Sequence, residues 1–135
     1  MKSDLVEIAN AGHQPALLRN DKDFKEFPSS SVPLAVTKHK DETVYKLESC
    51  KLNGGRIYCF TDCFSECLDE NKNEIGIDGV KKLLLNHQNS SLQKELENST
   101  EEIRLKSFKK NYKETGIKVN NDILDDDLTI IGIGY

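Results

Sequence analysis

The chain has 135 residues, about the length of one compact domain, with 31% charged and 36% hydrophobic residues and a formal net charge of -4. This mildly acidic balance excludes the concentrated basic surface that binds nucleic acid, because the lysines between positions 106 and 113 have the spacing of a solvated helix face. An apolar export segment near the N-terminus and a run of about 18 apolar residues are both lacking, which predicts a cytoplasmic protein with no membrane partner.

The cysteines of a cytoplasmic chain are expected to be reduced thiols. Cys59, Cys63 and Cys67 recur at every fourth residue, a spacing that could indicate a zinc site. The C-x₂-C pairs of structural zinc sites are lacking, however, and Cys59 falls in a predicted strand. Small buried thiols are therefore the favoured interpretation, with zinc as the alternative.

Short apolar runs between turn formers predict several strands in the first half of the chain. Leu5–Ala9 and Ala16–Leu18 are expected to form a hairpin, and Phe24–Phe27 a third strand. Thr43–Leu47 alternates weakly and predicts another strand, followed by a turn at Lys51–Gly55. These elements favour an antiparallel sheet.

Two apolar strands are each flanked by carboxylates. Ile57–Phe60 follows a glycine pair, reads as a strand buried on both faces and is followed by Asp62. Near the C-terminus, Asp125–Asp127 precedes the apolar run Leu128–Ile133. If the two strands are antiparallel neighbours, Asp62 and the acidic triplet meet at one sheet edge. Gathered carboxylates repel one another unless a cation lies between them, which favours a hard divalent ion such as Mg²⁺ or Mn²⁺.

The segment between these strands predicts a loop and two helices. Leu68–Glu74 is rich in acids and amides but does not match the ligand pattern of a calcium loop. Ile77–His87 indicates a short amphipathic helix, and a capping-box spacing starts a longer one over Ser90–Phe108. Lys113–Asn121 is expected to be a loop. The order predicts an α+β fold, with an antiparallel β-sheet packed with two helices.

Six motifs occur in the order and rough spacing of one family. They are Asn10–Pro15, Pro33–Val36, Gly55–Asp62, Glu66, Glu74–Gly76 and Asp126–Thr129. Together they resemble the C-terminal half of the bacterial PPM-type serine/threonine phosphatase domain, in the branch of the stage II sporulation E phosphatase. The resemblance covers nearly the whole chain, residues 1–135, and implies a partial PPM-phosphatase sandwich that lacks its N-terminal strands.

The resemblance also assigns site residues. In that family the Asp of a Thr-Asp-Gly motif and the first Asp of an Asp-Asp-x-Thr motif ligate the same ion of a two-metal centre, and these positions are similar to Asp62 and Asp126. Asp127 is then expected to hydrogen-bond around the site, and Asp125 to be a solvated spectator. His13 could be a general acid, but a packed, hydrogen-bonded imidazole is the favoured interpretation.

The implied reaction is hydrolysis of a phosphomonoester by a water activated between two Mn²⁺ or Mg²⁺ ions. The implied substrate is a protein carrying phosphoserine or phosphothreonine, such as an antagonist of an anti-sigma factor. No covalent protein nucleophile is required.

Two departures from the family pattern affect these expectations. The Asp-x-x-Gly-His-Gly segment that bridges both ions is lacking, so we expect at most one weak metal site and sheet edges open to a complementing chain or a second copy. Cys63 stands where the family prefers Gly, which costs strain if that position needs a positive φ and is otherwise tolerated.

Three hypotheses follow from these departures. The chain could be part of a phosphatase that is active only when joined to its other half. It could instead be a non-catalytic binding or regulatory module, or a degenerate fragment of such an enzyme. The first is preferred, with little or no turnover expected from the chain alone.

Overall fold

The computed structural model describes residues 4–34, 36, 45–115 and 127–134, with the side chains of all but 107–115. These residues form six strands and three helices. In chain order they are β1 (Leu5–Ile8), β2 (Ala16–Asn20), β3 (Asp23–Phe27), β4 (Glu48–Lys51), β5 (Arg56–Phe60), α1 (Asp62–Ser65), α2 (Gly76–Asn86), α3 (Leu92–Thr115) and β6 (Ile130–Ile133). The predicted α+β class is confirmed.

The strands form a four-stranded sheet of order β3-β2-β5-β6 and a separate two-stranded sheet of β1 and β4. β1 pairs antiparallel with β4, so the predicted hairpin between the first two strands is wrong. The hairpin joins β2 to β3 instead, and Asn20 faces Asp23 across its two-residue turn. Asp21 in this turn has a φ of 55°, the left-handed conformation that suits the twist of two-residue hairpins.

The strand predicted over Thr43–Leu47 is also displaced. Within its described part, Tyr45–Leu47 is not a strand, and β4 begins at Glu48. Residues 43 and 44 lie outside the described part of the chain. β4 pairs with β1, and Ile8 lies opposite Glu48 and Leu5 opposite Lys51. The weak alternation of Thr43–Leu47 carries no information about this partner strand, so it did not predict where β4 begins.

Two compact units are present, Met1–Cys59 with Gly132–Tyr135, and Phe60–Ile131. In the first unit, β2, β3 and β5 supply most of a hydrophobic cluster that consists of Ala16, Leu18, Phe27, Leu52 and Ile57. The partly buried residues packed against it are Val6, Ile8, Cys50 and Cys59. Burial raises the pKa of the Cys59 thiol, which keeps it neutral and favours the small apolar role predicted for it.

The central strand β5 is buried along its length, with Cys59 alone half-buried, as predicted for a strand covered on both faces. Its neighbour β6 runs antiparallel to it. Thr61, just after β5, bonds to Thr129, just before β6, whereas Gly134 after β6 lies against Gly55 before β5. The carboxyl end of β5 therefore lies beside the start of β6, as the sequence predicted.

The second unit contains the three helices and buries Phe64, Val80, Leu83, Leu84 and Ile103. The two predicted helices are confirmed, but α3 continues through Thr115, so the loop predicted from Lys113 begins too early. Residues 116–121 of that predicted loop lie outside the described ranges. The four-residue helix α1 was not predicted.

Partly buried polar side chains connect the end of α2 to α3. His87 Nε2 lies 2.6 Å from Glu102 Oε2, and Lys106 Nζ lies 2.7 Å from Glu102 Oε1. Partial burial alone would raise the pKa of Glu102, but the hydrogen bonds and charges of Lys106 and His87 outweigh it and lower that pKa. The contact therefore favours the ionised carboxylate.

The acidic loop after α1 is explained by its own backbone. Asp69 Oδ1 accepts hydrogen bonds from the N–H groups of Asn71 and Asn73, at 2.8 and 2.9 Å. Lys72 has a φ of 66°, so the turn bends through a left-handed residue. The acids and amides of this loop therefore serve to form its turn.

Among the described helices, none is long and apolar enough to cross a membrane.

Candidate metal centre

Asp62 is placed by the transition from β5 to α1. Thr61 is extended, with φ of -75° and ψ of 161°, and Asp62 is the first helical residue. The Asp62 carbonyl accepts hydrogen bonds from the Glu66 N–H at 2.8 Å and the Ser65 hydroxyl at 3.0 Å. Asp62 is exposed to solvent, and its Oδ1 accepts a bond of 3.1 Å from the Cys63 N–H. A well-anchored turn therefore presents its carboxylate at the surface.

Thr61 ties this turn to the segment that precedes β6. Its backbone N–H donates to the Thr129 carbonyl at 3.0 Å, and its hydroxyl accepts from the Thr129 N–H at 3.1 Å. The same hydroxyl donates to the Asp127 carbonyl at 2.7 Å. Thr61 thus contacts the backbone of both residues. We call Thr61, Asp127 and Thr129 with these three bonds the Thr61 clamp.

The clamp brings the Asp62 turn beside exposed Asp127. Asp126, the second predicted ligand, and Asp125, the predicted spectator, lie outside the described residues. The ligand roles of Asp62 and Asp126 and the supporting role of Asp127 therefore stay predictions. Asp127 is the residue of the acidic triplet that the structure describes.

Cys63 lies in the first turn of α1 and adopts a helical conformation. Asp21, Asn53 and Lys72 are the non-glycine residues with positive φ in the described part of the chain. Cys63 therefore does not have a positive φ, and replacing Gly by Cys at this position costs no backbone strain of that kind. The backbone thus supports the second expectation, that Cys is tolerated at position 63.

The donors around the clamp suit a hard divalent ion in chemical type, because carboxylate oxygens are preferred by Mg²⁺ and Mn²⁺. Their number is small. Within the described residues, no group of three or more His, Cys, Asp or Glu side chains could hold a metal ion. The described residues therefore do not by themselves form a two-metal centre.

His13 lies in a separate loop of the first unit. Its Nδ1 is 2.9 Å from the Gln14 carbonyl, so the predicted hydrogen bond is present, but the ring is exposed and the predicted packing is wrong. Asn10 holds the loop by donating from Nδ2 to the carbonyls of Gln14 and Phe27, while its Oδ1 accepts from the His13 N–H. The exposed imidazole and the Asn10 amide therefore contact the same Gln14 carbonyl.

A groove of about 520 Å³ opens beside the clamp within the second unit. It is lined by Leu96, Glu97, Thr100, Glu101, Leu128, Thr129 and Ile130. Thr129 therefore contributes to both the groove and the clamp. No sequence pattern predicted this groove, because its two walls are far apart along the chain.

The sequence interpretation also missed the role of Thr61. Threonine before a helix suggests an N-cap, whose hydroxyl accepts a bond from the first helical turn. Thr61 makes no such side-chain bond to α1 and uses its hydroxyl across the sheet edge instead. The sequence feature that could have indicated this role is a Thr directly before an Asp at the end of a buried strand.

Comparison with known proteins identifies a family and a similar fold. The family model for stage II sporulation protein E (SpoIIE) matches residues 1–135. The fold is similar to the SiaA-PP2C domain of Pseudomonas aeruginosa, with a TM-score of 0.66 and 15% sequence identity. That match covers 99% of this chain and 48% of the other, so the chain spans about half the length of the domain structure it resembles. Among curated proteins, none matches the chain.

Proposed function

The chain belongs to the stage II sporulation protein E family, and we propose that it is the C-terminal portion of a PPM-type, metal-dependent protein serine/threonine phosphatase domain. The observation that supports the proposal is the Thr61 clamp, which joins the Asp62 turn to Asp127, the residue that follows the other predicted ligand, Asp126, in the sequence. The half-length match to a PP2C domain supports an incomplete domain.

In the proposed reaction, a bound Mn²⁺ or Mg²⁺ ion supplies Lewis acidity for the hydrolysis of a phosphomonoester. The exposed Asp62 carboxylate would hold the ion together with Asp126, and the clamp would keep their backbones in register. Asp127 would support the site by hydrogen bonding. The groove beside Thr129 provides space for a segment of the substrate protein next to these residues.

We infer that the substrate is a cytoplasmic regulatory protein phosphorylated on serine or threonine, of which an antagonist of an anti-sigma factor is the example that the family resemblance implies. This assignment rests on the family and on the position of the groove.

We propose that the remainder of the domain pairs with the edge strand β6. In the described sheets β6 has β5 as its strand neighbour, and Ile131 and Ile133 are 58% and 52% exposed. An edge with unpaired backbone groups and exposed apolar side chains is a template for another strand. A second copy of this chain is the alternative occupant of the same edge.

A binding or regulatory module is the second candidate function. It is favoured by the groove beside Thr129 and by the exposed Ile131 and Ile133, which could contact another protein without any metal ion. Such a module would keep the substrate groove and the β6 edge without turning substrate over. The two candidates differ in whether activity appears when the domain is completed.

The distinguishing experiment is the hydrolysis of p-nitrophenyl phosphate in the presence of Mn²⁺. We expect little turnover by the chain alone and an increase of at least about 100-fold when a separately produced N-terminal portion of a family member is added. Chelation by EDTA should remove the increase. A stable complex of the two portions without any gain in turnover would contradict the phosphatase proposal and favour the binding module.

A further inference from the structure

We propose that the Asn53–Gly54 pair is a site of covalent modification, at which the Asn53 side chain loses its amide nitrogen without the help of an enzyme. The pair lies in the tight turn that joins β4 to β5. Asparagine is a chemically labile residue, and a following glycine has no Cβ to keep its backbone nitrogen away from the asparagine side chain. The inference does not depend on the proposed phosphatase reaction.

The turn holds both residues at the surface in a left-handed conformation. Asn53 has a φ of 50° and Gly54 a φ of 77°, and the Gly55 N–H donates to the Leu52 carbonyl at 2.7 Å. Positive φ at both central residues defines a type I′ turn, for which Asn-Gly is a favoured pair. Asn53 and Gly54 are both exposed, so water and base reach the reacting groups.

The reacting groups are not held by hydrogen bonds. Within the described residues, the Asn53 carboxamide and the Gly54 N–H have no hydrogen-bond partner. A Cβ built on Gly54 would meet nothing within 4 Å, so a ring has space to form there. Asn89 is also exposed, but its Oδ1 accepts the Ser91 N–H at 3.1 Å, which restrains its carboxamide. Asn53 is therefore expected to be the more reactive of the two.

The modification is a ring closure followed by hydrolysis. The Gly54 nitrogen forms a bond to Asn53 Cγ and gives up its proton, while the side-chain nitrogen gains a proton and leaves as ammonia. Water then opens the succinimide ring at either of its carbonyl groups. One opening gives aspartate, and the other gives isoaspartate, in which the main chain runs through the former side chain. Both products carry a carboxylate where the neutral amide was.

The new carboxylate would lie beside the group that anchors the turn. The Asp4 carbonyl accepts the Leu52 N–H at 3.0 Å, and Asp4 Oδ2 accepts the Asn53 N–H at 2.8 Å. A negative charge on residue 53 repels the Asp4 carboxylate, because like charges at close range disfavour each other. The modification should therefore weaken the link between the start of β1 and the end of β4.

The test is incubation of the folded chain at a mildly alkaline pH, followed by peptide mass mapping over time. We expect Asn53 to gain about 1 Da at least about 10-fold faster than Asn89. Gly54→Ala should slow the reaction by at least about 10-fold, because its Cβ obstructs the attacking nitrogen. Gly76→Ala is the matched control, since Gly76 also has a positive φ and open space around it, and it should leave the rate at Asn53 unchanged.

Equal rates at Asn53 and Asn89 would overturn the proposal. Equal slowing by Gly54→Ala and Gly76→Ala would also overturn it, since the attack would then not come from the Gly54 nitrogen.

The consequence for the turn is measured on Asn53→Asp, which reproduces one of the products. Its Leu52 amide should exchange with solvent at least about threefold faster than in the unsubstituted chain, while amides in the middle of α2 stay unchanged. Unchanged exchange at Leu52, or equal acceleration throughout α2, would contradict a local weakening of the Asp4 anchor.

Discussion

Asp62→Asn is expected to abolish the Mn²⁺-dependent hydrolysis of the completed domain, with a loss of at least about 100-fold in kcat/KM. The amide keeps the size of the carboxylate and an oxygen that can accept the Cys63 N–H, so the turn into α1 should remain folded. It removes the negative charge that a hard divalent ion requires. The loss should therefore appear in activity and metal affinity while circular dichroism stays unchanged.

Glu70→Gln is the matched control for this variant. Glu70 is an exposed carboxylate in the loop after α1 and has no role in the proposed site. The control removes the same charge from the same surface region, so it should retain activity within about twofold if the effect of Asp62 is local. Equal losses in the two variants would show that net charge matters and that Asp62 has no special role.

Gly55→Ala is expected to destabilise the chain by about 3 kcal/mol, the second large effect. Gly55 is buried at the entry to β5, and an added Cβ would lie 2.6 Å from the Arg19 carbonyl and 2.8 Å from the Leu52 carbonyl. Both oxygens belong to the backbone, so relief of the clash requires movement of β2 or of the turn. Urea unfolding followed by circular dichroism measures the change.

The neighbouring glycine provides the control. Gly54 has a φ of 77°, and a Cβ added there would meet open space. Gly54→Ala should therefore cost only the strain of a left-handed alanine, about 1 kcal/mol. A larger loss for Gly54→Ala than for Gly55→Ala would contradict the packing described around the start of β5.

The secondary structure could be predicted wherever the hydrophobic pattern of a single segment determines it. The unbroken apolar run of β5 and the amphipathic period of α2 predicted both elements, because burial on two faces or on one stripe leaves a direct trace in the sequence. The pairing of β1 was not predictable in this way. Its partner β4 lies far along the chain, and turn formers at Asn10–Pro15 suggested a nearer one.

The candidate site could likewise be predicted only in part. Asp62 was singled out because it follows a buried strand, and the structure places it on a surface turn beside the segment before β6. The role of Thr61 could not be predicted, since a hydroxyl before a helix usually caps that helix and its actual acceptors belong to Asp127 and Thr129.

The claim that Asp62 and Asp126 share one cation is tested most directly by Mn²⁺ calorimetry on Asp62→Asn, Asp126→Asn and the double variant. If one ion is shared, each single change should remove most of the binding, and the double variant should bind no more weakly than either single variant. Binding by Asp126→Asn equal to that of the unsubstituted chain, or losses that add in the double variant, would show that the two carboxylates do not hold a common ion.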